Sequence, residues 1–186
     1  MIKRALESKL KAMAGKSPVI AVTGPRQSGK TTLVRAAFPG YKYVSLENLD
    51  TREFAMADPR LFLAEYPAPA IFDEIQRVPS LLSYIQTIVD ETGRSGMYIL
   101  TGSNNLMLLE SVSQSLAGRV ALLNLLPFSY AELAAAICRF IDQRHGSGGS
   151  IHFEAERYEL AASFADDGNE LVGFTWQFER SVFASA

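Results

Sequence analysis

Gly24-Pro25-Arg26-Gln27-Ser28-Gly29-Lys30-Thr31, followed by Thr32, decides how the rest of the chain is read. The β-branched run Pro18 to Thr23 precedes it. A helical pattern from Gly29 to Ala37 follows, closed by Phe38-Pro39-Gly40. Gly-x-x-x-x-Gly-Lys-Thr between a strand and a helix is the pattern of a phosphate-binding loop. A polyphosphate needs several backbone N–H groups aimed at one place, and glycine lets the backbone approach closely and turn sharply. The helix that follows presents its positive end to the phosphates. Lys30 is expected to meet the β and γ phosphates, and Thr31 to offer its hydroxyl to Mg2+, with Gly24 to Thr32 cradling the nucleotide. The expected ligands are ATP and Mg2+.

Outward from the loop, short apolar runs alternate with helical stretches. Strands are expected at Tyr41 to Leu46, Ala70 to Phe72, Met97 to Thr101 and Val120 to Leu125. Helices are expected at Asp50 to Ala57, Arg60 to Glu65, Pro79 to Thr92, Asn105 to Leu116 and Ser129 to Ile137. Such alternation implies an α/β fold, a parallel sheet with helices on both faces. Ligands gather at the carboxyl ends of such strands, where Gly24, Asp73 and Thr101 are all expected.

Three further stretches carry chemistry. Ala70-Ile71-Phe72-Asp73-Glu74 delivers two carboxylates to the sheet edge. Asp73 would hold Mg2+ and Glu74 would act as general base on the attacking water. In Thr101-Gly102-Ser103-Asn104, Ser103 and Asn104 could bond that water or the γ-phosphate, or simply form a turn. Arg119, just before the fifth strand, could stabilise the transferring phosphoryl group in cis or from a neighbouring subunit, or serve as an ordinary surface ion-pair partner. Arg26, inside the loop, is a lesser candidate for the same work.

Composition narrows the class. The 186 residues, 48% hydrophobic and 20% charged, fit a soluble globular chain. The net charge of −2 gives no overall basic footprint for nucleic acid. The single cysteine, Cys138, cannot form an internal disulfide and fits a cytoplasmic location. No apolar run approaches the roughly 20 residues of a membrane span. Met1 to Met13 reads as an amphipathic helix packed on the domain, or as a basic helix touching lipid or nucleic acid. His145 and His152 have no metal-ligand spacing around them.

The character changes near Cys138. All eight prolines lie at or before Pro127, and the charge balance shifts from +2 over residues 1–138 to −4 over residues 139–186. Three regions are therefore expected: a core at 1–138, a flexible linker at 139–150 containing Gly146-Ser147-Gly148-Gly149-Ser150, and a tail at 151–186. In the tail, Asp166-Asp167-Gly168-Asn169 suggests a β-hairpin between Ile151 to Ala165 and Glu170 to Phe183, although Glu154 to Ala165 could equally be helical. Phe174, Trp176 and Phe178 suit one face of a strand.

Six stretches in order resemble one group of prokaryotic AAA-like ATPases. They are Gly-Pro-Arg-Gln-x-Gly-Lys-Thr-Thr at 24–32, Tyr-Val-Ser-Leu-Glu at 43–47, Asp-Pro-Arg-x-Phe-Leu at 58–63, Asp-Glu-Ile-Gln-Arg-Val-Pro at 73–79, Leu-Thr-Gly-Ser-Asn at 100–104 and Ser-Leu-Ala-Gly-Arg-Val at 115–120. The resemblance covers about residues 1–136. It implies a three-layer α/β/α P-loop NTPase of the ASCE class, which carries an additional catalytic-glutamate strand, with sheet order 5-1-4-3-2. It also implies that Lys30 and Thr31 bind phosphate and Mg2+, that Asp73 binds Mg2+ and that Glu74 is catalytic. Ser103 or Asn104 would be the polar sensor, and Arg119 a finger or sensor arginine. Members of the group usually carry a C-terminal domain that the tail here does not match, so a truncated or frame-shifted chain is expected. The partner beyond ATP, a protein or a nucleic acid, is left open, and a homo-oligomer is compatible with Arg119 acting between subunits. An ATPase is expected. The alternative is a nucleotide-dependent switch with negligible turnover; a small-molecule kinase fits less, for want of an arginine-rich lid.

Overall fold

A computed structural model describes residues 2–103, 112, 114–142, 150–155, 158–164 and 171–178. The chain divides into two units, Met1–Leu133 and Ala134–Ala186. In the first, the order is α1 (Leu6–Ala14), β1 (Val19–Gly24), α2 (Lys30–Ala37), β2 (Lys42–Ser45), α3 (Leu49–Ala57), α4 (Pro59–Glu65) and β3 (Ala70–Asp73). A 3-10 turn (Ile75–Arg77) follows, then α5 (Leu81–Thr92), β4 (Tyr98–Ser103), β5 (Val120–Asn124) and the start of α6 (Tyr130–Asp142).

The five strands form one sheet in the order β2-β3-β4-β1-β5, and every neighbouring pair is parallel. Read from the other edge, this is the expected 5-1-4-3-2. β1 lies inside the sheet and all six of its residues are buried, which is why its sequence is a continuous apolar run rather than an alternating one.

Strand alternation divides the core into two layers. Val19, Ala21, Ala70, Phe72, Tyr98 and Leu100 pack with Phe62, Leu82 and Ile85 of α4 and α5. Ile20, Val22, Ile71 and Ile99 pack with Leu10 of α1 and with Leu33 and Val34 of α2. The result is the three-layer α/β/α sandwich. In the first layer Phe72 contacts Tyr98 and Phe62, with ring centroids 5.7 and 5.6 Å away.

Local signals set the helix ends. The Asn48 side chain accepts from Thr51 N at 3.0 Å and caps α3. The Asp58 side chain accepts from Leu61 N at 2.9 Å, with Pro59 in the first turn of α4. These two caps keep α3 and α4 separate. α1 buries Leu10 against the domain, so its apolar face belongs to the core. No described helix is long and apolar enough to cross a membrane.

In the second unit, Ser150–Ala155, Tyr158–Phe164 and Leu171–Phe178 form β6, β7 and β8, an antiparallel sheet in the order β6-β7-β8. The helical alternative for Glu154 to Ala165 is replaced by strands. The expected single arm from Ile151 to Ala165 is two strands, with Ala155 paired to Tyr158. A two-stranded hairpin is marginal in water, and a third strand supports it. Phe174, Trp176 and Phe178 lie in β8. α6 runs to Asp142, so residues 139–142, which composition placed in a linker, are helical. The rest of that linker up to Gly149 and the Asp166 to Asn169 turn lie outside the described residues, as does most of the expected Asn105 to Leu116 helix.

Phe72 is fully buried at the centre of the first layer. Phe72→Ala should lower the unfolding free energy by about 3–5 kcal/mol, read as a fall in the urea midpoint.

Candidate functional site

The loop between β1 and α2 is shaped by backbone geometry. Gly24 has φ 152°, and a Cβ there would stand 2.1 Å from the Leu125 carbonyl oxygen. Only glycine fits this close approach. Gly29 (φ 86°) and Gln27 (φ 61°) are also left-handed, which turns the chain around the space in front of α2. Within the loop, Lys30 Nζ donates to Gly24 O at 3.0 Å and to Pro25 O at 2.7 Å. Burial lowers the Lys30 pKa from its ordinary value, while Glu74 and Asp73 act to raise it. Ser28 Oγ is buried with no partner among the described residues. An unpaired hydroxyl in a glycine-shaped loop that also carries the buried Lys30 fits a phosphate.

Asp73, at the carboxyl end of β3, is 6% exposed. Its Oδ2 accepts from Thr31 Oγ1 at 2.9 Å and from the Tyr43 hydroxyl at 2.7 Å, and its Oδ1 accepts from Thr101 Oγ1. α2, β2 and β4 thus each send a hydroxyl to one carboxylate. Burial and the bond to Asp73 push the Tyr43 hydroxyl pKa up to about 12, so it remains a donor at neutral pH. Among the described residues no group of three or more His, Cys, Asp or Glu is placed to hold a metal. A single carboxylate beside a threonine hydroxyl suits Mg2+, a hard cation that keeps waters and takes its remaining ligands from phosphate oxygens. A cleft of about 540 Å3 opens beside these groups, lined in part by Thr31, Thr32, Arg35 and Tyr43.

Glu74 follows directly, with φ 58° and ψ 46°. This left-handed residue breaks the strand and starts the 3-10 turn. Gln76, on that turn, donates to Glu74 Oε2 and to Ser103 Oγ. The structure therefore brings Gly24 to Thr32, Asp73, Glu74 and Ser103 to one edge of the sheet. Asn104 lies outside the described residues.

Arg119 is not brought there. In the parallel sheet Val19 N bonds Arg119 O, so Arg119 sits at the amino end of β5. The five steps of β1 from Val19 to Gly24 put it about 16 Å from the loop. Its guanidinium binds both carboxylate oxygens of Asp90 on α5. In this placement Arg119 has the surface ion-pair partner that was its alternative, and it stands away from the loop.

Sequence reasoning missed a buried arginine behind the loop. Arg4 is 7% exposed. It donates to Ser28 O at 2.7 Å, Leu126 O at 2.6 Å and Glu132 Oε1 at 3.2 Å, and it lies 4.2 Å from the Phe128 ring centroid. Glu132 and Ser129 form a reciprocal capping box at the start of α6. The Ser-x-x-Glu spacing was readable; its connection to Arg4, 128 residues away, was not. Tyr43 and Thr101 were visible as strand residues, but their convergence on Asp73 required the register.

A parallel sheet with this strand order and this loop defines a P-loop nucleotide-binding domain of the ATPase-like class. The chain belongs to the AAA-domain family, whose sequence pattern matches residues 16–134. It is similar to uncharacterized proteins of Mycobacterium bovis and Mycobacterium tuberculosis, each 30% identical over 167 residues, with 88% of this chain and 37% of theirs covered. The chain thus spans little more than a third of those relatives. The matched share is also larger than residues 1–136 alone can supply, so the likeness enters the second unit. Among solved structures, it resembles a Walker-type ATPase of Pyrococcus abyssi, with TM-score 0.53, 16% identity, and 77% of this chain and 59% of that one covered. It also resembles a signal-transduction ATPase with numerous domains, bearing a tetratricopeptide-repeat sensor, from Pyrococcus horikoshii. There the TM-score is 0.51, identity 13%, and coverage 77% and 26%. These two likenesses are of fold.

Burial acts to raise the Glu132 pKa, but bonds from Ser129 N, Ala5 N and Arg4 outweigh it and hold the carboxyl below its ordinary 4.5. A depressed carboxylate stabilises the fold above its unfolded pKa, and that contribution disappears as pH falls through the folded value. Glu132→Gln should therefore lower the urea midpoint at neutral pH, and its deficit against wild type should shrink on acidification below pH 4.5.

Proposed function

We propose that this chain hydrolyses Mg2+-ATP to ADP and phosphate at the carboxyl edge of its sheet. The observation that carries the reading is the 2.9 Å bond between Thr31 Oγ1 and Asp73 Oδ2, made directly beside Glu74. This pair would hold Mg2+, which when bound offsets charge between the β and γ phosphates. The backbone from Gly24 to Thr32 orients the triphosphate, and Lys30 exchanges its bonds to Gly24 O and Pro25 O for phosphate oxygens. Glu74 accepts a proton from the attacking water. Ser103, at the end of β4, is the polar group that meets the γ-phosphate or that water, a place shared in the sequence reading with Asn104.

Arg119 faces away from this site and pairs with Asp90, so a role at a transferring phosphoryl group requires a second copy. A lone chain then lacks one cation at the transferring phosphoryl group. This placement favours a second reading, a nucleotide-dependent switch with little turnover when unassembled.

Phosphate release and binding of a fluorescent ATP analogue separate these readings. Lys30→Ala should lose binding and turnover together. Glu74→Gln should keep binding while kcat falls by about 10²–10⁴-fold. Wild type that binds without releasing phosphate supports the switch, and wild type that binds nothing overturns both readings.

The role of Arg119 has its own test. Lys30→Ala supplies an intact Arg119, and Arg119→Ala supplies an intact loop. Mixing the two inactive variants should restore phosphate release, and no recovery on mixing counts against a shared site.

A further inference from the structure

Gln76 was assigned no role by sequence, yet it stands at the centre of the proposed site. Its amide nitrogen donates to Glu74 Oε2 and, at 3.3 Å, to Ser103 Oγ. These partners lie at the ends of the neighbouring strands β3 and β4, so one side chain joins the two elements across the sheet edge. Both amide hydrogens are committed by these bonds.

The other half of the amide is unpaired. Gln76 Oε1 is buried and has no partner among the described residues. Buried acceptors are ordinarily paired, and an unpaired one beside reactive groups calls for a donor. The turn that carries Gln76 is fixed in place. Arg77 N bonds Glu74 O at 3.0 Å, Val78 N bonds Ile75 O at 3.0 Å, and Ile75 and Val78 are buried in the core. Gln76 is therefore held with its donors on Glu74 and Ser103 and its acceptor free.

We propose that Gln76 is a catalytic residue of this site. Its amide nitrogen orients the Glu74 carboxylate against Ser103, and its carbonyl receives one hydrogen of the attacking water. This rests on the hydrolysis reading above. In the step, the water oxygen bonds to the γ phosphorus while the bond from phosphorus to the β–γ bridging oxygen breaks. The electron pair of that bond leaves on ADP. One water proton passes to Glu74 and then to solvent. The other, directed at Gln76 Oε1, stays on the new phosphate. Two of the water's bonds are then set by a single rigid turn, which orients its lone pair toward phosphorus.

The test measures phosphate release and nucleotide affinity on the whole chain for wild type, Gln76→Met, Gln76→Asn, Ser103→Ala and the Gln76→Met/Ser103→Ala pair. Methionine matches the length and removes both donor and acceptor. Gln76→Met should lower kcat by about 100-fold, with the dissociation constant for Mg2+-ATP within about twofold of wild type. Ser103→Ala should cost less than Gln76→Met, and less again when added to it, because part of its effect is the bond the two share. A purely structural residue would instead lower the thermal midpoint and weaken binding along with kcat. Folded Gln76→Met with wild-type kcat overturns the proposal alone, as does full multiplication of the two single effects. If Gln76→Met shows no cooperative unfolding, Gln76→Asn decides. It retains the amide but shortens its reach, so a kcat loss of similar size supports the proposal and an unchanged kcat overturns it. Absence of phosphate release from wild type overturns the hydrolysis reading, and this proposal with it.

Discussion

The Asp73 carboxylate is the constraint on which the site depends. It is nearly fully buried, and a buried carboxylate is tolerated only when its oxygens are bonded. Thr31, Tyr43 and Thr101 supply those bonds from α2, β2 and β4. Each donor belongs to a different element, so the carboxylate acts as a pin that fixes the start of α2 relative to three strands. The phosphate loop ends where that pin begins. Its shape and the positions of Thr31 and Asp73 are therefore one structural fact.

Arg4 performs the same service from behind. Its guanidinium bonds a carbonyl inside the loop, a carbonyl after β5, and the glutamate that caps α6. Planar, fixed donors suit such a junction better than a flexible ammonium would. The loop is thus held between two buried charged groups, an arginine outside the sheet edge and an aspartate on it. Gly24 allows the close contact with Leu125 that brings these supports together.

Polarity of the parallel sheet distributes the remaining roles. Everything at the carboxyl ends shares one edge, which collects the loop, Asp73, Glu74 and Ser103. Everything at the amino ends is on the opposite edge, which is where Arg119 meets Asp90. Strand direction therefore keeps Arg119, paired with Asp90, apart from the loop.

Much of this was legible in the sequence because it is local. Gly24-x-x-x-x-Gly29-Lys30-Thr31 sets backbone geometry within eight residues, and the apolar run before it marks an interior strand. Asp73-Glu74 after such a run locates the sheet edge, and the alternation of strands and helices fixes the layer architecture. What only the tertiary structure decided is long-range. The union of Tyr43, Thr31 and Thr101 on Asp73, the bridge from Gln76 to Ser103, the clamp of Arg4 on Glu132, and the banishment of Arg119 to the far edge all depend on strand order and register. Periodicity reports which face a residue occupies, but not which residue from another element will meet it there. In the second unit, turn chemistry indicated a hairpin, while the division of its first arm into β6 and β7 followed from pairing, which no local pattern encodes.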